Sequence, residues 1–306
     1  MSPQMPVLAL LAPTLIAALS AGCAVVDHPT TPNLSPAASA TSWDEVFAKP
    51  AVIEHEALIS ARWKVPLSGM LDLDHPEAKR AGKEDAPTDI VLPVHVLRHP
   101  EHGVFIIDSG VTDPVISLGV AELAFDDPIE VVDPIESILA RESLPFGGAL
   151  ITHFHLDHVL GIPGLPEGSS VFIGPGELEA TSVQNAATRS VFNEVVDGRA
   201  AFREWQVDEA QAMGPIKRAI DVFGDGSLWA LHMPGHTSGS MAFVAQTTSG
   251  PKLFTGDTSH TRWGFEHDVT PGTYTADHAA NADSLHQLVE LKAAFPQLEV
   301  FFGHEL

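Results

Sequence analysis

The sequence predicts an α/β sandwich, with β-sheets inside and helices outside, in a single domain over residues 51–306. From about residue 50 onward, short apolar runs typical of strands alternate with stretches of helical periodicity. No unit repeats at a fixed period, which excludes solenoid architectures. Because 44% of the residues are hydrophobic and 18% are charged, the chain can bury a sizeable core.

The predicted strands are short, and turn residues separate them. Residues 90–97 (IVLPVHVL) and 104–107 (VFII) flank a His-Pro-Glu-His-Gly segment, which predicts a hairpin. Further strands are expected at 149–151, 228–231, 241–245, 252–254 and 299–302. Residues 133–136 (DPIE) predict a helix start, with the aspartate as N-cap and the proline at the first helical position. The apolar spacing over 281–295 predicts an amphipathic helix.

The charge balance is strongly acidic. Forty acidic residues stand against 16 basic ones, which gives a formal net charge of −24. Such a surface repels phosphate backbones, and no basic patch interrupts it, so nucleic acid is not an expected partner. Most of these carboxylates are interpreted as a solvated surface, and a small molecule is the expected partner.

The N-terminal segment is interpreted as an export signal. The apolar run 7–21 is followed by Gly22-Cys23, which predicts a signal sequence over residues 1–23. It resembles a bacterial lipoprotein signal, which implies a lipid anchor at Cys23 and a periplasmic or cell-envelope location. A plain secretion signal and an uncleaved anchor helix are the alternatives, and the short run with Pro13 inside it disfavours the second.

Residues 24–50 are rich in Pro, Ser, Ala and Thr without periodicity, so a flexible linker is expected between the anchor and the domain. The chain contains one cysteine, Cys23. An intramolecular disulfide is therefore excluded, and any metal ligands in the domain must be imidazole or carboxylate groups.

Four potential metal ligands lie within six residues of the segment 152–158 (THFHLDH). His153 and His155 follow a buried strand two residues apart, so their side chains leave on the same side and can share one ion. Asp157 and His158 lie where the chain must turn, so they can face a second ion. These donors suit zinc. A surface cluster without metal is disfavoured, because polar groups beside an apolar strand would need costly desolvation.

Three more candidate ligands follow predicted strands. His236 lies in a glycine-containing loop (PGHTSGS), Asp257 lies in TGDT, and His304 lies in GHE. Each of these signals is weak alone, since a single loop histidine is usually only polar surface. Their order along the chain after the first cluster supports the interpretation of all three as metal ligands.

Together these motifs resemble the metallo-β-lactamase superfamily, whose pattern is H-x-H-x-D-H, then a glycine-flanked histidine, an aspartate and a last histidine. The resemblance runs from about residue 88 to the end of the chain, and residues 106–110 (IIDSG) are similar to the early aspartate motif of that family. It implies an αββα sandwich that binds two divalent ions. Zinc is the expected metal, and iron, manganese or cobalt suit the same donors.

The resemblance also implies a role for each ligand. His153, His155 and His236 would bind the first ion, Asp157, His158 and His304 the second, and Asp257 would bridge the two. Asp108, Thr152 and Thr237 are candidates for orienting these ligands by hydrogen bonds, and ordinary polarity at strand ends is the alternative.

Several branches of the superfamily are not expected. Asp257 stands where the true β-lactamases have cysteine or serine, and His155 stands where the redox di-iron branch has glutamate. The chain as given ends at Leu306, so the C-terminal helical domain of glyoxalase II is not expected. Residues 256–306 are closest in layout to N-acyl-homoserine lactonases. In those enzymes a tyrosine three residues after the bridging aspartate helps to hold or protonate the substrate, and His260 takes that position here.

The resulting hypothesis is a binuclear metal-dependent hydrolase of small esters, most of all lactones. A hydroxide bridging the two ions would attack the carbonyl, and Asp157 would orient it and move its proton. His260 would donate a hydrogen bond or proton, or would have no catalytic role. Trp263 and Phe265 would line an apolar cleft or belong to the core. The alternatives are a thioester or aryl-ester hydrolase of the same fold and a non-catalytic metal-binding lipoprotein.

Overall fold

The protein is described from a computed structural model, which covers residues 28–113, 128–179, 192–193, 195–196 and 200–306. Residues 1–23, for which a signal sequence is predicted, lie outside the described residues, so export and lipidation of Cys23 stay predictions. Within the described part of the chain, none of the helices combines the length and the hydrophobicity that crossing a membrane requires.

The strands of the described residues form two sheets. In chain order, β1–β14 span Thr31–Asn33, Glu54–Pro66, Pro87–His99, Gly103–Ile107, Glu130–Val131, Phe146–Leu150, Ser169–Ile173, Ala200–Trp205, Gln211–Met213, Ile216–Asp221, Leu228–His232, Met241–Thr247, Gly250–Phe254 and Glu299–Phe301. The first sheet has the order β1-β8-β7-β6-β4-β3-β2-β5, and the second has the order β14-β13-β12-β11-β10-β9.

The helices are mostly short. In chain order, α1–α7 span Trp43–Ala48, Leu67–Met70, Pro76–Arg80, Ile135–Ala140, Leu156–Val159, Arg262–Glu266 and His278–Ala294. Single 3₁₀ turns lie at Ile162–Gly164, Val207–Glu209 and Gly256–Thr258. Helix α7 confirms the amphipathic helix predicted at 281–295, and it begins earlier because the Asp277 side chain accepts a hydrogen bond from the backbone N–H of Ala280.

The predicted hairpin is confirmed, since β3 and β4 pair antiparallel with His99 opposite Gly103. The helix start predicted at residues 133–136 is one residue too early. Pro134 is the N-cap of α4, and the Asp133 carboxylate accepts hydrogen bonds from the Arg141 guanidinium instead of capping the helix.

Three apolar layers hold the sheets and helices together. Between the sheets, side chains such as Leu150 from the first pack against side chains such as Phe243 from the second. The outer face of the first sheet is covered by residues that include those of α4 and α5. The outer face of the second sheet is covered by α1 and α7. This order of layers is the predicted αββα sandwich.

The linker prediction for residues 24–50 is wrong for the part that the structure describes. Strand β1 pairs in parallel with β8, and helix α1 buries Trp43 and Val46 against the second sheet. Composition favoured a linker, but these two apolar side chains bury enough surface to order the segment.

Candidate metal centre

Ligand candidates from the first sheet follow two adjacent parallel strands. Strands β4 and β6 run side by side, with Ile107 opposite Leu150. Asp108 follows β4 directly, and residues 152–158 follow β6. The carboxyl ends of parallel strands meet at one edge of a sheet, and this edge is where α/β folds place their ligands.

Candidates from the second sheet reach the same edge. The loop after β11 carries His236, and the parallel strands β13 and β14 lead into Asp257 and His304. The close approach of these segments requires glycine at position 303, because a Cβ there would lie 2.0 Å from Asp257 Oδ1.

One carboxylate oxygen lies at the centre of the cluster. Asp257 Oδ2 lies within 3.5 Å of nitrogens from five histidines: His260 Nε2 at 2.9 Å, His158 Nε2 and His304 Nε2 at 3.3 Å, His236 Nε2 at 3.4 Å and His153 Nε2 at 3.5 Å. His155 Nδ1 is 2.9 Å from His236 Nε2, and Asp157 Oδ2 is 3.4 Å from His304 Nε2. The structure thus brings together all seven ligands proposed from the sequence, with His260 beside them.

Donor atoms of this kind and spacing fit divalent ions. Ligand atoms that bind one zinc ion tetrahedrally, about 2.1 Å from it, lie roughly 3.4 Å apart. Potential ligand atoms of His153, His155, His236 and Asp257 lie within 4.8 Å of one another, and so do those of Asp157, His158 and His304. These two groups match the two ligand sets that the resemblance implies.

Atoms without hydrogen-bond partners support the same interpretation. His153 Nε2, His158 Nε2 and Asp257 Oδ1 are buried and have no hydrogen-bond partner among the residues that the structure describes. Leaving buried polar atoms unpaired costs about 1–3 kcal/mol each. Metal ions at the centre of the cluster would satisfy these atoms, so the residues present fit the ions.

Hydrogen bonds behind the proposed ligands fix the direction of three rings, those of His153, His158 and His304. The carboxylate of Asp108 accepts from His158 Nδ1 at 2.8 Å and from the Thr152 backbone N–H and hydroxyl. The Thr152 hydroxyl in turn accepts from His153 Nδ1, and the Val91 carbonyl accepts from His304 Nδ1. A hydrogen on Nδ1 leaves the lone pair on Nε2, which therefore faces the centre. Asp108 and Thr152 thus make the expected hydrogen bonds to rings of proposed ligands.

Thr237 does not contact a ligand ring. Its hydroxyl donates to Glu177 Oε1 at 2.6 Å, and the hydroxyl beside His236 Nδ1 is that of Thr275, at 3.3 Å. The proposal that Thr237 orients a ligand directly is therefore wrong. Thr275 and Glu177 could not be identified from the sequence, because neither lies at a fixed spacing from a ligand motif. The position of Glu177 shortly after β7 is the one feature that could have indicated a role near the strand ends.

Glu177 joins the two loops that carry the first ligand group. Besides the Thr237 hydroxyl, its buried carboxylate accepts from the backbone N–H of Phe154 at 2.7 Å and of Gly239 at 2.8 Å. Burial raises the pKa of this carboxyl, although the three hydrogen bonds favour its charged form. Phe154 lies between His153 and His155, so Glu177 fixes that loop relative to the His236 loop.

The charges of the cluster favour neutral imidazoles in the first ligand group and an ionised carboxylate at Asp257. Burial holds the pKa values of His153 and His236 well below the usual range and lowers that of His155 to about 4. Burial opposes protonation of His158 and His304 as well, but the charge of Asp257 outweighs it and raises the pKa of both rings. Burial alone would raise the pKa of Asp257, but the surrounding histidines, with His260 first, hold it well below its usual range. Neutral imidazole and carboxylate are the forms in which these groups bind metal ions.

The open side of the cluster is formed by its more exposed members. His155 and Asp157 are partly exposed, whereas the other five proposed ligands are buried. Tyr274, the only tyrosine of the chain, is 40% exposed, and its pKa is raised by burial and by the nearby charge of Asp157. These three side chains mark where a substrate can approach.

The two aromatic residues proposed for a cleft differ in their surroundings. Phe265 is buried in the apolar layer under α7 and packs against Phe302, so it is a core residue. Trp263 is partly buried, stacks on the His267 ring with centroids 4.1 Å apart and has the Lys83 ammonium over its face.

A second histidine cluster lies at the opposite end of β4. His99 Nδ1 accepts from the backbone N–H groups of Glu101 and His102, and its Nε2–H donates to Asp225 at 3.1 Å. Its ligand atoms are close enough for a metal ion. A neutral ring already satisfies every one of these hydrogen bonds, so the geometry of His99 does not require an ion.

Fold and donor cluster together define a metal-binding protein of the two-sheet sandwich class, and comparison with known proteins assigns the family. The model of the metallo-beta-lactamase superfamily matches residues 93–304. The chain therefore belongs to the metallo-β-lactamase superfamily, a family of metal-dependent hydrolases.

Two curated relatives are informative. The chain is 26% identical to the N-acyl homoserine lactonase AttM of Rhizobium johnstonii over 232 residues, which cover 72% of this chain and 84% of that protein. It is 34% identical to a hydroxyacylglutathione hydrolase of Cupriavidus taiwanensis over 142 residues, or 43% of each protein. The chain thus spans less than half of the second relative.

Among solved structures, a variant of AiiA from B. thuringiensis with N-decanoyl-L-homoserine bound at its active site has the same fold. The TM-score is 0.64 at 18% identity, and the match covers 84% of this chain and 95% of that one.

Replacing Asp108 tests the hydrogen bonds behind the ligands. Asp108→Asn keeps the size of the side chain but removes its charge, so it no longer accepts three hydrogen bonds with a carboxylate. We expect metal affinity to fall by about 10–100-fold, measured by competition with a chelator. Asp133→Asn is the matched control, because Asp133 pairs with Arg141 outside the cluster. Equal metal affinity in the two variants would show that Asp108 does not orient a ligand.

Proposed function

We propose that this protein hydrolyses small carboxylic esters, with lactones as its main substrates, at a centre that holds two divalent ions. The main support for this proposal is the position of Asp257 Oδ2, which lies within 3.5 Å of nitrogens from both ligand groups. A carboxylate between two donor sets is suited to bridging two ions. The partly exposed His155 and Asp157 leave one side of this centre accessible.

Two bound ions would supply two effects: they would lower the pKa of a shared water to about 7, and they would polarise the ester carbonyl. Asp157 is the residue placed to orient that water and carry its proton, since its carboxylate is 16% exposed and faces the open side. Asp108 and Glu177 hold the ligand loops in place. The Tyr274 hydroxyl, near Asp157, can donate a hydrogen bond to the substrate.

The relatives favour lactones among esters. AttM is named an N-acyl homoserine lactonase, and the AiiA structure contains an acyl homoserine at its active site. AttM also matches most of this chain, whereas the hydroxyacylglutathione hydrolase matches less than half of it. Because the chain is also similar to this hydroxyacylglutathione hydrolase, thioester hydrolysis is the alternative function. Zinc is the proposed metal because the donors are imidazole and carboxylate groups.

A substrate panel tests the proposal. Zinc-loaded protein is assayed with acyl-homoserine lactones of several chain lengths, an aryl ester and a glutathione thioester, and chelator-treated protein is the control. We expect the highest kcat/KM for a lactone, by at least about 10-fold, which corresponds to roughly 1.4 kcal/mol of transition-state discrimination. A preference for the thioester would support the alternative. If the zinc-loaded protein turned over none of these compounds, the proposal would be wrong.

A further inference from the structure

We infer that His260 is itself a metal ligand, the eighth protein side chain of the centre, and that it does not act as a proton donor. The inference rests on the two-ion centre of the proposed function and deepens it by assigning a residue to the second ion. The carrying observation is the pair of contacts made by the two ring nitrogens of His260.

The first contact fixes the tautomer. His260 Nδ1 lies 3.0 Å from the backbone carbonyl oxygen of Met70, at the end of α2. A carbonyl oxygen has no hydrogen to give, so Nδ1 carries the hydrogen and donates it. In a neutral ring the lone pair is then on Nε2, which is the form that binds metal ions.

The second contact requires a cation. His260 Nε2 lies 2.9 Å from Asp257 Oδ2. Two lone pairs at this distance repel each other, so either a proton or a metal ion must lie between or beside them. His158 and His304 also face this oxygen, both at 3.3 Å. One ion beside this oxygen would accept the lone pairs of both His260 and His304, because possible ligand atoms of these two rings and of Asp257 lie within 4.8 Å of one another.

His304 provides an internal comparison, because its geometry is the same. Its Nδ1 donates to the Val91 carbonyl and its Nε2 faces Asp257 Oδ2. The rings of His260 and His304 lie 5.2 Å apart, and their possible ligand atoms and one from Asp257 lie within 4.8 Å of one another. Both rings therefore direct the Nε2 lone pair at the same oxygen of Asp257, with Nδ1 held by a backbone carbonyl.

Burial argues against the proton-donor role. The side chain of His260 is 1% exposed, and its free edge is directed at Asp257. A donor to the leaving group must come within hydrogen-bond reach of the substrate, which approaches from the side of Asp157 and Tyr274. Bound in this way, His260 would hold an ion together with His304 and Asp257.

Cobalt substitution tests the assignment without depending on turnover. Co²⁺ is titrated into metal-free wild-type protein and into His260→Gln, and the visible absorption and the affinity for each ion are measured. We expect His260→Gln to weaken binding of one ion by on the order of 100-fold and to change its absorption spectrum. His304→Gln should behave similarly. His232→Gln is the matched control, because His232 is also buried but contacts the Ser238 carbonyl outside the centre.

The outcomes separate this inference from the proposed function. If His260→Gln bound both cobalt ions with wild-type affinity and spectrum while its turnover fell, His260 would be a proton donor and the inference would be overturned. If the cobalt results were as expected but no ester was hydrolysed, only the proposed function would fail. Circular dichroism of the metal-free variants confirms that each is folded, and His260→Phe provides a second test without a side-chain donor.

Discussion

Asp257→Asn is expected to abolish ester hydrolysis and to release metal ions from the protein. One oxygen of Asp257 lies within 3.5 Å of five histidine nitrogens, so this carboxylate contributes the central negative charge of the site. Asparagine keeps the shape but is neutral and cannot bridge two cations. Losing about 4 kcal/mol of transition-state stabilisation lowers kcat/KM by roughly 1000-fold.

Metal content and turnover are measured on the same preparations. Asp225→Asn is the matched control, because the Asp225 carboxylate also contacts a histidine nitrogen but lies at the opposite end of β4. We expect this control to keep both metal and activity. If Asp257→Asn kept the metal content and the turnover of the wild type, Asp257 would not be the bridge. If Asp257→Asn bound metal more weakly but kept the turnover of the wild type at saturating metal, Asp257 would contribute to metal binding and not to catalysis.

Trp43→Ala is expected to lower the free energy of unfolding by about 3–5 kcal/mol, the range for removing a large buried aromatic side chain. Trp43 is 2% exposed and packs against Trp229 and Phe47. Its indole N–H donates to the Met213 carbonyl at 2.9 Å, which would lose its partner. Urea unfolding followed by circular dichroism gives the change directly.

The control for this variant comes from the same segment. Leu34 is 78% exposed, so Leu34→Ala should leave the free energy of unfolding within about 0.5 kcal/mol of the wild type. If Trp43→Ala were as stable as Leu34→Ala, residues 31–48 would be a loose tether after all. The expected result makes them an integral part of the sandwich.

The clustering of the seven proposed ligands could be predicted from the sequence because much of the chemistry of this site is local. His153, His155, Asp157 and His158 lie together after one strand, and four such donors directly after an apolar strand are costly to bury without an ion. The three remaining ligands were placed by the resemblance and by the strand that precedes each of them. The αββα fold followed from the alternation of strands and helices and from the same resemblance.

Other parts of the site could not be predicted because they depend on contacts between distant segments. The partner of His236 is Thr275, and the partners of His260 and His304 are the backbone carbonyls of Met70 and Val91. A backbone carbonyl leaves no trace in the sequence. Glu177 is a single glutamate among the acidic residues of the chain, and only the fold brings it between two ligand loops.

The N-terminal segment shows the limit of composition as a guide. Prolines, serines and alanines over 24–50 indicated a linker, yet two buried side chains, Trp43 and Val46, fix helix α1 on the second sheet. Short elements of this kind gain their stability from packing and not from helix propensity, so local sequence patterns miss them.

The most direct test of a two-ion centre is a titration of zinc into chelator-treated protein, with hydrolysis of the preferred lactone as the readout. We expect no turnover without metal and a rise in activity that is complete at two ions per chain. Full turnover by the metal-free protein, or activity that is complete with a single ion, would contradict a two-ion centre bridged by Asp257.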